Sequence, residues 1–321
     1  MNTNNPTQTE TPRAHSPQQI TRDMFVPTTV ATGEAEQLTR PSLSYWKDAL
    51  RRFKRNKIVM VASAVLLLVI LFAVFAPVFS QYTYDQAHYE LSNIGPTKQH
   101  WFGTDVLGRD IWTRCWEGAR VSLFIGLITA LVNASVGILY GGLSGFIGGR
   151  VDNVMMRFCE IIAAVPQMLW ITLLMLIMRP GLLPIIVALS ATGWISMARL
   201  FRGQVFQIKE SEFVMASKAL GTNSFWIIMK HLVPNAMSPI ITNMAFAIPS
   251  AIFAEAFLSY IGLGLPLPLA SWGNLSSTGA NAFLQYPYQL VFPSILICIT
   301  MLSFNLIGDG LRDALDPRLR K

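Results

Sequence analysis

Residues 210–235 read Glu210-Ser211-Glu212-Phe213-Val214-Met215-Ala216-Ser217-Lys218-Ala219-Leu220-Gly221-Thr222-Asn223-Ser224-Phe225-Trp226-Ile227-Ile228-Met229-Lys230-His231-Leu232-Val233-Pro234-Asn235. Long apolar runs flank this stretch on both sides, at 183–201 and 238–261. Glu210, Glu212, Lys218 and Lys230 are charged, and a charge at bilayer depth costs roughly 2.5–3.5 kcal/mol. The stretch therefore belongs in water, where it interrupts a membrane domain. Its pattern is that of two short helices. Ser211 stands at an N-cap position, and Glu212 suits the first turn. Phe213, Ala216 or Ser217, and Leu220 share one face, and Gly221 is a fitting stop. A second stripe runs through Phe225, Ile228, Met229 and Leu232, and Pro234 closes it. Two amphipathic helices outside a bilayer need cover for their apolar faces. Their own domain, the membrane interface or a soluble partner would each supply it, and the residues alone leave the choice open.

Composition supports the membrane reading. Of 321 residues, 52% are hydrophobic and 13% charged, which is the balance of an all-α polytopic membrane protein. The net charge of +7 is explained by positively charged cytoplasmic loops, so no nucleic-acid partner is expected. Cys115, Cys159 and Cys298 are too scattered for a disulfide framework or a zinc site, and His15, His88, His100 and His231 form no metal cluster.

In chain order, 1–41 is polar and expected to be a disordered cytoplasmic tail. No cleavable signal peptide is expected, because the first apolar run starts near Ile58. Residues 42–57 read as a basic amphipathic interfacial helix, with Leu43, Trp46, Leu50 and Phe53 on one face. The first transmembrane helix, 58–79, is uncharged and holds fifteen Ile, Leu, Val or Phe. At the centre of a helix these favour insertion by about 5–9 kcal/mol. Residues 80–120 read as an extracytoplasmic loop with an interfacial element marked by Trp101, Trp112 and Trp116. A core transmembrane domain is expected at 121–309, its cytoplasmic loop at 203–237, and a cytoplasmic tail at 310–321. Further spans are expected near 121–147, 158–178, 183–201, 238–261 and 288–307, making six transmembrane helices. With the N-terminus inside, twenty of the 25 Lys and Arg residues lie on the cytoplasmic side, which places 210–235 there too.

Several smaller motifs carry weaker readings. Gly137, Gly141, Gly145 and Gly149, four apart, read as a helix-packing seam against a neighbour. Gly142-Leu143-Ser144-Gly145 matches the Gly-x-Ser-Gly of intramembrane serine proteases. No histidine lies in an expected span to serve as base, so hydrolysis is not expected. Glu255 lies within a span and is either an interhelical hydrogen-bonding group or a gating or pathway residue. Glu160 is a second such candidate, near a cytoplasmic end.

The 210–235 stretch resembles the coupling loop of ABC-importer permeases, Glu-Ala-Ala, three residues, Gly, nine residues, Ile-x-Leu-Pro. Here Met215-Ala216-Ser217 precedes Gly221, and His231-Leu232-Val233-Pro234 closes the motif. Met215 replaces the motif's Glu, and Glu212 lies one turn earlier. Phe102-Gly103-Thr104-Asp105 with Gly108-Arg109-Asp110, Gly262-Leu263-Gly264, Ser271-Trp272-Gly273-Asn274 and the tail Gly308-Asp309-Gly310-Leu311-Arg312-Asp313 resemble the peptide/nickel permease family, from about residue 42 to the end. The likeness is greatest to the "C" subunit of oligopeptide permeases. It implies the type I ABC importer permease fold and a pore subunit for short peptides, working by alternating access in the cytoplasmic membrane. It also implies a second homologous permease subunit, two cytoplasmic ATPase subunits and an extracytoplasmic peptide-binding protein. This chain then binds no cofactor, and its partner ATPases use ATP and Mg. ATPase coupling falls to Glu212, Phe213, Met215, Ala216, Ser217, Leu220, Gly221 and Pro234. Dipeptides, nickel or another small solute are alternative cargoes. A stand-alone ion-coupled secondary transporter is the reading from another class; it predicts repeats and midplane ion ligands that are not evident here.

Overall fold

The computed structural model describes residues 45–316. The expected tail at 1–41, Leu43, and the last residues of the expected C-terminal tail lie outside them. Among the described residues the architecture is helical, with one isolated bridge between Thr104 and Asp110.

Helix α1 is Tyr45–Arg55. Residues 42–44 lie outside the described residues, and α1 ends two residues before the expected 57, because Asn56 turns the chain and caps the next helix. Its side-chain oxygen accepts from the Ile58 and Val59 amides at 3.1 and 3.4 Å. The Tyr45 hydroxyl donates to the Leu315 carbonyl at 2.9 Å, which ties α1 to the end of the last helix. Trp46 and Leu50 remain exposed, where interfacial lipid would cover them. Helix α2, Lys57–Phe79, buries Val59, Ala62, Leu66, Val69 and Ala73. That spacing of three and four puts one stripe against the protein and leaves the rest for lipid.

Helix α3 spans Ile111–Ile147, so the expected loop at 80–120 ends ten residues early. Its 37 residues exceed the roughly 20 needed to cross a bilayer. The early charged turns are folded into the protein. Asp110 caps the helix by accepting from the Thr113 amide at 2.8 Å. The Arg114 guanidinium donates to the Tyr84 carbonyl at 2.6 Å. Arg120 donates to the Ala73 and Val74 carbonyls at the end of α2.

The expected span 158–178 is broken. Helices α4, Gly149–Ala163, and α5, Gln167–Ile177, are bent by 78° at a break that contains Pro166. The residue before a proline is pushed out of helical geometry, and the ring removes a backbone donor. Among the described residues five helices are long and apolar enough to cross a membrane, and the bent pair is the sixth only if counted as one span. The others are α2, α3, α6 (Leu182–Ile208), α9 (Met237–Tyr260) and α11 (Tyr288–Leu315). The most extensive helix packing is between α3 and α6.

The 210–235 stretch forms α7, Glu212–Ala219, and α8, Ser224–Ile227, then a π-helical turn, Ile228–Leu232, and one short turn, Val233–Asn235. The Val233 amide bonds the Ile228 carbonyl, five residues back. Pro234 has no amide to give, and the wider turn accommodates that loss. Ser238 at the start of α9 and Tyr45 of α1 both donate to the Leu315 carbonyl. The stretch, α1 and the C-terminal end of α11 therefore share one end of the molecule. Residues 80–110 and helix α10, Trp272–Asn281, share the other.

Candidate functional site

The 210–235 stretch is a foot held by a small core of its own. Val214, Ile227, Ile228 and Leu232 are buried with Phe201, Val205 and Ile240. Helix α7 ends as expected. Gly221 has φ +77°, its amide bonds the Lys218 carbonyl, and the Thr222 amide bonds the Ser217 carbonyl. This pair of bonds satisfies the last carbonyls of the helix and requires a left-handed residue. Ser211 is the N-cap residue, as expected, but its side chain is used elsewhere. The Ser211 hydroxyl donates back to the Ile208 carbonyl at 2.6 Å and does not cap the α7 amides.

The faces also differ from the expected stripes. Phe213, Met215 and Leu220 are exposed, Leu220 at 86%, while Val214 takes the inward place. In the second stripe Ile228 and Leu232 are buried, Phe225 and Met229 exposed, and Trp226 is exposed beside them. The π-helical turn runs from Ile228 to Leu232 and has both of these end residues turned inward, next to the buried Ile227. Glu212 and Ala216 are exposed and Ser217 is half-buried. The Phe213 and His231 rings lie 6.2 Å apart, so His231 joins the two foot helices. Pro234 sits at the join to α9.

Three seam glycines face α6. A methyl on Gly137 would meet Met197, on Gly141 the Ala198 backbone, and on Gly145 Val205. The neighbour is therefore a helix of the same chain. Gly149 has open space around it and φ +60°; together with Gly148 it forms the joint between α3 and α4. At this joint Asp152 accepts from the Ser144 hydroxyl and from two nitrogens of Arg202, each at 2.5 Å. Ser144 is thereby occupied in a buried polar knot. Glu160 pairs with Arg157 at 2.8 Å on an exposed surface, an arrangement that contributes about 0–1 kcal/mol.

Glu255 is fully buried. The hydroxyls of Ser122, Ser259 and Ser271 donate to its carboxyl at 3.3, 2.9 and 2.7 Å. Ser271 is also the N-cap of α10. One side chain thus ties α3, α9 and α10 together. On the same end Asp105 holds Arg109 at 2.7 Å, and Asp110 holds His100 at 2.9 Å, all buried. The Phe-Gly-Thr-Asp run therefore spends its polar groups inside the protein.

A cleft of about 540 Å³ lies between α3, α5, α6, α9 and α11. Thr129, Asn133, Gln167, Thr192, Ser196, Asn243 and Ser250 supply its polar lining. The sequence reading did not find it, because these residues are single polar groups in separate apolar runs. No Asp, Glu, Lys, Arg or His lines it. Among the described residues there is also no group of three or more metal-ligating side chains.

A cross-packed helical body with a water-facing foot between two spans is the architecture of an ABC-importer permease. Residues 136–321 match the binding-protein-dependent transport system inner membrane components, and the chain belongs to that family. Residues 44–96 match the N-terminal TM domain of oligopeptide transport permease C. The chain is 51% identical to the oligopeptide transport system permease protein OppC of Bacillus subtilis (strain 168), over 95% of this chain and all of that one. It is 46% identical to the dipeptide transport system permease protein DppC of the same strain, over 99% of this chain and all of that one. It is 42% identical to OppC of Escherichia coli (strain K12), over 89% of this chain and 95% of that one. A solved permease of the MetNI methionine ABC transporter, in an inward-facing conformation, superposes with TM-score 0.50 at 17% identity, covering 62% of this chain and 94% of that chain. This likeness shows the type I fold. The chain is an integral membrane permease subunit of the cell membrane and not an enzyme, and it works with ATPase and substrate-binding partners.

Proposed function

We propose that the chain is one of two homologous pore subunits in an ABC importer for short peptides. The exposed apolar knob of the foot carries the reading. Phe213, Met215, Leu220, Phe225, Trp226 and Met229 are bare on a segment whose inner face is firmly packed. Solvent-exposed aromatic and aliphatic groups in such number mark a docking surface. Cytoplasmic ATPase subunits are the occupants, and the charge bias puts the foot on their side. They use ATP and Mg, and their closure moves α6 and α9 through the foot. An extracytoplasmic binding protein delivers cargo at the far end. The names of the OppC and DppC relatives support peptide cargo.

The test is Gly221→Asp in the full transporter. A Cβ at Gly221 meets nothing within 4 Å, and a left-handed conformation costs an L-residue about 1–2 kcal/mol. The variant should insert and fold, lose ATPase co-purification and lose peptide uptake. Normal uptake with normal ATPase recovery would refute the assignment.

A further inference from the structure

Helices α2 and α11 meet at the foot end of the molecule, where a Cβ on Gly310 would strike the Val59 side chain. Beside this contact an apolar groove of about 510 Å³ opens between the two helices. Ala62 and Ser303, both buried, form its floor. Val61 stands on the α2 side and Leu302 on the α11 side. These walls are bare, Val61 at 64% and Leu302 at 59% exposure. Lys57 is the one charged residue in the lining. Lys54 and Arg55 come just before it at the end of α1, and Arg51 lies one turn further back. All four cations are exposed. Among the described residues no carboxylate pairs with any of them.

We propose that the α2–α11 groove holds one anionic phospholipid from the leaflet on the foot's side. An acyl chain lies in the groove, and the phosphate sits at Lys57, Lys54 and Arg55. The order of chemistry along the groove is that of a lipid. At 1.5 Å per residue, Val65 at the apolar end lies about 12 Å from Lys57, which is within the hydrocarbon of one leaflet of a roughly 30 Å core. The Lys57 stem can lie along the apolar wall while its ammonium reaches the headgroup. A soluble anion would leave the groove empty, and an apolar protein segment would leave four cations unanswered. Unpaired basic residues beside a span draw acidic headgroups. The bound lipid would bridge α1, α2 and α11, which the Tyr45–Leu315 hydrogen bond already draws together.

The experiment uses the complete transporter, purified in detergent and washed free of loose lipid. It is titrated with phosphatidylglycerol or phosphatidylethanolamine of the same acyl chains and weighed intact by native mass spectrometry. One phosphatidylglycerol should bind roughly tenfold tighter than phosphatidylethanolamine. Lys57→Gln should weaken phosphatidylglycerol about fivefold, the effect of one cation at an acidic headgroup, and affect phosphatidylethanolamine less. Leu302→Trp, at an exposed wall position, should fold, obstruct the groove and weaken both lipids. Lys47→Gln is the control: Lys47 is exposed on α1 and does not line the groove. It should change little. Equal affinity for the two lipids overturns the site. So do equal effects of Lys57→Gln and Lys47→Gln, which diffuse attraction to the membrane surface would give. Full binding by Leu302→Trp overturns it too, as does a photo-crosslinker at residue 302 that captures protein rather than lipid.

Discussion

Gly141→Ala tests the seam on which the helical body depends. The added methyl would lie against the Ala198 backbone, 2.9 Å from its Cα and nearer still to its carbonyl oxygen. Ordinary carbon contacts are about 3.5–4.0 Å, so α3 and α6 must part by about 1 Å. Both sides of the clash are helix backbone, and no side chain can rotate away. Overpacking of this kind costs about 1–3 kcal/mol, and a backbone clash belongs at the upper end. Between spans, close packing rather than water exclusion holds helices together, so the loss is felt directly. The assay is the thermal unfolding midpoint of the detergent-purified complex, read beside uptake at equal protein in the membrane. Gly149→Ala is the control. Its Cβ meets nothing within 4 Å, and only its φ of +60° resists the change, at about 1–2 kcal/mol. Gly141→Ala should lower both midpoint and uptake more than Gly149→Ala does. A wild-type midpoint for Gly141→Ala, or greater damage from Gly149→Ala, would refute the reasoning.

Two other substitutions probe the buried polar knots. Glu255→Ala strands three serine hydroxyls, at about 1–3 kcal/mol each, and should cut the folded yield; Glu255→Gln should fold better and transport normally per folded molecule. Normal yield for Glu255→Ala, measured by fluorescence-detected size exclusion, would show that the carboxyl ties nothing together. Arg202→Ala leaves Asp152 buried without its ion-pair partner, which costs about 3–5 kcal/mol when both groups are buried. Arg202 is 31% exposed, which reduces the loss to about 2–3 kcal/mol. Adding Asp152→Asn should restore more than half of the lost thermal midpoint, and no restoration would break the pairing argument.

What the chain discloses before folding follows from the range of each signal. The 58–79 span was legible because one unbroken apolar run is a local property, and Gly221 because a left-handed stop leaves a local mark. The start of α3 was not legible. Arg114 and Arg120 look like loop charges until Tyr84, Ala73 and Val74 supply carbonyls from elsewhere. The break at Pro166 was visible as a residue but was read through, because the flanking residues stay apolar. The coupling residues follow from the resemblance to permease coupling loops, which says nothing of the inward places that Val214 and Ile227 take. A π-turn has no period to read. The cleft and the Asp152–Arg202 pair join residues far apart in sequence, and only tertiary packing brings them together.

The wide turn at Ile228–Leu232 and Pro234 form a matched pair. Each residue of an α-helix advances its successors by about 100°, and the surplus residue adds one such step between the foot and α9. Pro234 keeps the surplus in place, since without an amide it cannot close an ordinary turn. The compass bearing of the foot is thus fixed by a ring outside the knob. Restoring an amide at 234 would swing Phe225, Trp226 and Met229 around the axis of α9 while leaving each of them unchanged.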